Sequence, residues 1–177
     1  MALSRHLFSG PEQARPPRPH EDPVTKHFSS GRVSHAPPGR LAASGAKVLV
    51  AEDHEDTREL LRTILERRGL TVFEAADGVE ALDAAERERP DLILMDGSLP
   101  LLDGFAATRR LRGLPELSAV PIVFLSGHAG PQYRTAALDA GCDEYVVKPF
   151  DLEGLNRVLN RHLAGHGGRG KKGLIDA

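Results

Sequence analysis

The chain has one cysteine, Cys142, in 177 residues. An internal disulfide is excluded, and such sparse cysteine fits a reducing cytoplasm. Cys142 reads as a small buried hydrophobe and not as a reactive thiol. No apolar run approaches the roughly 18 residues that a membrane span requires. Met1 to Gly10 lacks the continuous apolar stretch of a secretory signal. Net charge is also small, at −2, but it is unevenly spread. From Lys47 to Leu163 there are 14 basic and 21 acidic residues, a net of −7, while residues 1–46 carry +3 and residues 164–177 carry +2. An acidic centre with basic ends argues against nucleic acid as a partner of the core.

Apolar periodicity is nearly missing from residues 1–45, which hold seven of the 13 prolines. Such a segment buries too little apolar surface to offset the entropy of ordering it, so a disordered Pro/Arg/His-rich extension is expected there. His6, His20, His27 and His35 are too irregularly spaced to suggest a metal site. Residues 164–177 read as a flexible glycine- and lysine-rich tail. Gly165 to Gly170 satisfies Gly-x-Gly-x-x-Gly, but it follows a helix and precedes none. It therefore lacks the strand–turn–helix setting of a dinucleotide site.

What remains, residues 46–163, has the composition of a globular domain. Five apolar runs of strand length alternate with five amphipathic patterns. The strands are expected at Lys47 to Ala51, Thr71 to Ala75, Leu92 to Met95, Pro121 to Leu125 and Glu144 to Val147. In the first helix Leu60, Leu61, Ile64 and Leu65 are expected to face the core, and Gly69 to end it. In the second, Val79, Leu82 and Ala85 are expected inward, after a capping box formed by Asp77 and Glu80. Asp103-Gly104 opens the third helix, Gln132 to Ala140 forms a weaker fourth, and Asp151 caps a fifth with Leu152, Leu155, Val158, Leu159 and Leu163 on one face. Alternating strands and helices predict an α/β fold, a parallel sheet covered on both faces. The flavodoxin-like (βα)5 arrangement, a doubly wound sheet of order 2-1-3-4-5, places strands one and three side by side at the switch point.

Ligands of open α/β sheets bind at the carboxyl ends of the strands. Strand one ends in Glu52-Asp53, strand three in Asp96, strand four in Ser126 and strand five in Lys148. Three carboxylates in one mouth repel; two charges about 4 Å apart cost on the order of 4 kcal/mol at an effective dielectric of ~20. Lys148 offsets part of this, and a divalent ion is the natural complement. Oxygen ligands in an incomplete cage favour Mg2+. Without the ion, at least one carboxylate is expected to have a raised pKa. A metal, a lysine and a hydroxyl suit a phosphoryl group, with Asp96 as the carboxylate nucleophile that takes it.

These motifs resemble the response regulator receiver domain of two-component signalling. The resemblance rests on Val48 through Asp53, on Met95-Asp96 through Leu99-Pro100 to Asp103-Gly104, on Leu125-Ser126-Gly127-His128, and on Val147-Lys148-Pro149-Phe150. It implies Asp96 as phospho-acceptor, Ser126 and Lys148 as its catalytic partners, and Mg2+ at Glu52, Asp53, Asp96 and Ser98. It also implies a switch in which Ser126 moves toward the phosphate and Tyr145 turns inward, and a cis bond before Pro149. The implied phosphoryl donor is a histidine kinase or phosphotransfer protein. The implied output is a downstream protein bound through the fourth helix, fifth strand and fifth helix, with a homodimer formed on phosphorylation. Donor docking would use the first helix and the loop near Phe150. Ser98 and His128 stand where the family tunes phosphoryl lifetime. Gly97 and Gly127 replace larger residues, which would open the pocket to water. The expected function is a stand-alone phosphorylation-controlled switch, not an enzyme beyond Mg2+-dependent self-phosphorylation and self-dephosphorylation. The alternatives are a receiver module of a hybrid kinase or phosphorelay, and a receiver-fold scaffold that takes no phosphoryl. A metal-dependent phosphatase is disfavoured, because Ser98 stands where a second acid is needed.

Overall fold

The computed structural model describes residues 45–164. The N-terminal extension with its four histidines and the glycine-rich tail lie outside the described residues. Five strands and five helices alternate: β1 (Lys47–Ala51), α1 (Glu55–Glu66), β2 (Thr71–Ala75), α2 (Gly78–Glu88), β3 (Leu92–Asp96), α3 (Gly104–Gly113), β4 (Ile122–Ser126), α4 (Pro131–Ala140), β5 (Glu144–Val147) and α5 (Leu152–Leu163). The strands form one parallel sheet of order β2-β1-β3-β4-β5, the order that the sequence predicts.

The sheet is sandwiched because its central strands are apolar at every position but their ends, and side chains alternate between faces. Val48, Val50, Leu92, Leu94, Val123 and Leu125 point to one side, where they pack with Leu61 and Leu65 of α1 and Leu155, Val158, Leu159 and Leu163 of α5. Leu49, Ala51, Ile93, Met95, Ile122, Phe124 and Tyr145 point to the other. There they meet Ala81, Ala84 and Ala85 of α2, Ala107 and Leu111 of α3 and Ala137 of α4.

Three helical positions differ from expectation. Leu60, Val79 and Leu152 are exposed, not buried. Leu61 and Leu65, four residues apart, are the seam of α1; Leu60 is rotated about 100° from Leu61, away from the sheet. In α2 the buried face is Gly78, Ala81, Ala84 and Ala85, with Leu82 only partly covered. Small residues let that helix lie close to the sheet, which leaves Val79 outside.

The caps follow the sequence with one change. Asp77 Oδ1 accepts from the Val79 and Glu80 amides at 2.7 and 2.8 Å. Glu80 reaches back to the amide of Ala76, at 2.8 Å, and not to that of Asp77. Asp103 and Asp151 accept from the Ala106 and Gly154 amides. Gly69 has φ of 84°, a left-handed value that suits glycine just beyond the end of α1.

At the opposite end of the sheet from β1's acidic exit, Arg112 ties three segments together. Its guanidinium donates to the carbonyls of Gly141, Ser118 and Val120 at 2.8, 3.2 and 2.8 Å and to Asp143 Oδ2 at 2.8 Å. Asp143 Oδ2 also accepts from the Ile122 amide, so this clasp fixes the start of β4 beside β5.

Candidate functional site

Parallel pairing brings the exits of β1, β3, β4 and β5 to the same edge. Ala51 pairs with Met95, Asp96 with Leu125, and Ser126 with Val147. Glu52, Asp96, Ser126 and Lys148 therefore emerge at one level, within a single mouth. Glu52, Asp96 and Ser126 are its buried polar residues.

Lys148 is the centre of charge. Its Nζ donates to Glu52 Oε2 and to Asp96 Oδ2, both at 2.5 Å. The peptide bond from Lys148 to Pro149 is cis. Asp96 Oδ1 accepts from the Ser98 amide at 2.8 Å, so both oxygens of the carboxylate are held. Gly104 N donates to the Gly97 carbonyl at 3.2 Å, which folds the loop after Asp96 back on itself. A β-carbon on Gly104 would lie 2.1 Å from the Asp96 carbonyl oxygen, so only glycine permits this approach.

Burial pushes the Glu52 carboxyl above its ordinary 4.5; the hydrogen bond and charge of Lys148 oppose the rise, and the nearby charge of Asp96 adds to it. One carboxylate is raised, as the crowding of acids predicts, but burial is the main cause and the charge of Asp96 a lesser one. Burial works against the Lys148 ammonium, but its hydrogen bonds to Asp96 and Glu52 prevail and hold it above 10.5. The lysine stays charged, and the strain of desolvation falls on Glu52.

One oxygen of this cluster is left over. Glu52 Oε1 is buried and has no hydrogen-bond partner. It faces Asp53 and His54, and these three residues can each bring one ligand atom within 4.8 Å of the others. A buried, unsatisfied carboxylate oxygen beside a second carboxylate fits a divalent cation. Asp96 and Ser98, also expected as ligands, are outside this tight group. Asp96 is turned to Lys148, and Ser98 is exposed and meets Asp96 through its amide. His54 is the group that reading the sequence missed. Its Nδ1 is 2.9 Å from Asp53 Oδ1, and that hydrogen bond holds the imidazole above its ordinary 6.5. Its adjacency to the Glu52-Asp53 pair was the available signal.

Ser126 Oγ accepts from the His128 amide at 3.2 Å, which leaves its proton free to donate into the mouth. The Tyr145 ring is buried against Phe124, with centroids 6.4 Å apart, and its hydroxyl donates to the His128 carbonyl at 2.7 Å. Tyr145 thus occupies the inward position. His128 itself is exposed and its ring lies against Tyr133. The two glycines behave differently. A β-carbon at Gly97 would meet the Phe105 ring at 3.4 Å, so that side is closed, whereas at Gly127 nothing lies within 4 Å. Cys142 is buried, and burial raises its thiol to about 11, which makes it inert.

A family model described as the response regulator receiver domain matches residues 48–160. The chain belongs to the response regulator receiver family. It is 43% identical over 109 residues to the response regulator MprA of Mycobacterium tuberculosis, a match covering 62% of this chain and 46% of MprA. It thus spans about half the length of that relative. It is 39% identical over 115 residues to an uncharacterized 14.6 kDa protein of Leptolyngbya boryana, covering 65% of this chain and 88% of that protein. Among solved structures it resembles the receiver domain of a sensor histidine kinase from Pseudomonas aeruginosa, with TM-score 0.64 and 38% identity over 68% of this chain and 98% of that one. That crystal structure holds a magnesium ion in its active site cleft. It also resembles the chemotaxis protein CheY4 of Vibrio cholerae, with TM-score 0.64 and 33% identity, covering 67% and 99% of the two chains. No helix among the described residues is long and apolar enough to cross a membrane.

Proposed function

We propose that this receiver accepts a phosphoryl group on Asp96 from a histidine kinase or phosphotransfer protein and thereby switches a protein-binding surface. The observation that carries the reading is the position of Lys148, whose one ammonium joins Glu52 to Asp96 beside an unsatisfied Glu52 oxygen. Glu52 and Asp53 would hold Mg2+, with Asp96 and Ser98 at the edge of its site. When bound, the ion supplies neutralising charge for phosphoryl oxygens. The rest is the work of the chain. An Asp96 carboxylate oxygen forms the new P–O bond as the donor's P–N bond breaks, and the product is an aspartyl phosphate. Lys148 neutralises a second phosphoryl oxygen from its present place, and the Ser126 hydroxyl donates to a third. Self-dephosphorylation reverses the gain by attack of water, with access on the open Gly127 side.

The switch would run through the loop between β4 and α4. Ser126 and Tyr145 both bond to His128, one to its amide and one to its carbonyl. A shift of Ser126 toward a phosphoryl group would therefore be felt by Tyr145 and by α4. Exposed apolar side chains support α4, β5 and α5 as the responding surface: Tyr133, Leu138, Val147 and Leu152. Leu60, exposed on α1, supports donor docking there. The free, buried Cys142 supports a reducing cytoplasmic setting. A chain acting on its own, through a downstream protein or a phosphorylation-dependent homodimer, is favoured by the likeness to a 14.6 kDa relative matched over 88% of its length. The likeness to the receiver of a sensor histidine kinase favours a second reading, a module in a phosphorelay.

Amide NMR before and after phosphorylation tests the switch. Shifts that spread from Asp96 and Ser126 to residues 131–147 and 152–163 are expected. Shifts confined to the mouth would rule the switch out.

A further inference from the structure

His54 Nδ1 lies 2.9 Å from Asp53 Oδ1 and 3.4 Å from Glu52 Oε1. Two ligands at right angles, each about 2.1 Å from one metal ion, are about 3.0 Å apart. His54 Nδ1 thus has the spacing of a coordination-sphere neighbour to each of the two oxygens, and all three ligand atoms lie within 4.8 Å of one another. A second observation comes from Glu52. Its side chain is 2% exposed, and Oε1 is without a hydrogen-bond partner, directed at this group. His54 is the N-cap of α1 and makes no side-chain bond to that helix. The imidazole is turned back over the acidic pair instead.

We propose that His54 is a nitrogen ligand of the divalent-cation site and moves its selectivity from Mg2+ toward transition ions that accept imidazole, Ni2+ and Zn2+ foremost. The inference rests on the reading of the acidic mouth as a metal site and adds to it a ligand and a class of ion. Mg2+ is hard, keeps its waters and gains little from a nitrogen donor. Ni2+ and Zn2+ bind imidazole well and stand higher in the affinity order for mixed nitrogen and oxygen sites. A transition ion held by Glu52, Asp53 and His54 would occupy the place of Mg2+ and exclude it.

The test is calorimetric titration of the full chain with Ni2+, alone and at saturating Mg2+, repeated on His54→Gln. Ni2+ held by a histidine outside the mouth would not compete with Mg2+, so the Ni2+ that Mg2+ displaces reports the mouth alone. His54→Gln is expected to weaken that displaceable class about tenfold or more, while Mg2+ affinity changes by less than about twofold. Unchanged Ni2+ affinity in His54→Gln, with Mg2+ still competing, would overturn the role of His54 and leave the metal site standing. A wild-type chain that binds no Mg2+ would overturn both.

Discussion

Lys148 donates to Asp96 across 52 positions of sequence, Nζ to Oδ2 at 2.5 Å. The same ammonium donates to Glu52, so one cation holds two buried carboxylates in place. Breaking a fully buried pair by removing one partner costs about 3–5 kcal/mol. The Lys148 side chain is 22% exposed and keeps some water, so the loss here falls below that range. Lys148→Met is expected to destabilise the domain by about 2 kcal/mol in urea denaturation and to abolish phosphoryl acceptance. In the double variant Lys148→Met, Glu52→Gln much of the stability should return, because one of the two facing charges is gone.

The raised carboxyl of Glu52 sets a pH dependence. A folded pKa above the unfolded 4.5 means that the folded chain holds its proton longer. Between 4.5 and the folded value the native state binds more protons than the unfolded one, so stability falls as pH rises through that window. The penalty is complete above it. Wild-type stability, measured by urea titration without divalent ions, should therefore decline across this window, and Glu52→Gln should flatten the decline. Lys148 acts at the other extreme. Its folded pKa is above 10.5, so its contribution is full below 10.5 and is lost as pH rises through the folded value.

Tyr145→Phe removes the hydroxyl that meets the His128 carbonyl and keeps the ring against Phe124. A loss of about 1 kcal/mol is expected, the net value of one such hydrogen bond. Hydrogen exchange at residues 127–130 should quicken, while that of β1 and β3 stays unchanged. Equal quickening throughout the sheet would mean that Tyr145 is merely core and does not anchor this loop.

Leu101 is 84% exposed and has φ of 61°. A left-handed backbone costs a branched residue about 1–2 kcal/mol, whereas glycine carries an entropic cost of about 0.5–1 kcal/mol. The first term is larger, and almost no side-chain burial is lost. Leu101→Gly should therefore stabilise the domain by about 0.5 kcal/mol in urea denaturation. A loss of stability would show that the Leu101 side chain has a packing role.

Strand order and the polar strand ends were legible because continuous apolar runs mark doubly covered strands, and each run stops at a charged or hydroxyl residue. Glu52, Asp96, Ser126 and Lys148 needed only that rule to be placed in one mouth. Leu60, Val79 and Leu152 were misread because periodicity gives a face but not its width; the sheet covers less of each helix than the apolar count suggests. His54 was passed over because its role depends on the direction its side chain takes at the turn into α1, which spacing does not encode. The Arg112 clasp was invisible for a related reason. Four of its five contacts are to backbone carbonyls and the fifth is to a carboxylate 31 positions away, and a surface-like arginine in sequence gives no hint of them.

The central claim is that Asp96 takes a phosphoryl group in the presence of Mg2+. Intact-mass measurement after incubation with a small phosphodonor tests it most directly. The wild-type chain should gain the mass of one phosphoryl group when Mg2+ is present and none in excess chelator, and Asp96→Asn should gain none in either. No gain by the wild type, or an equal gain by Asp96→Asn, would contradict the account.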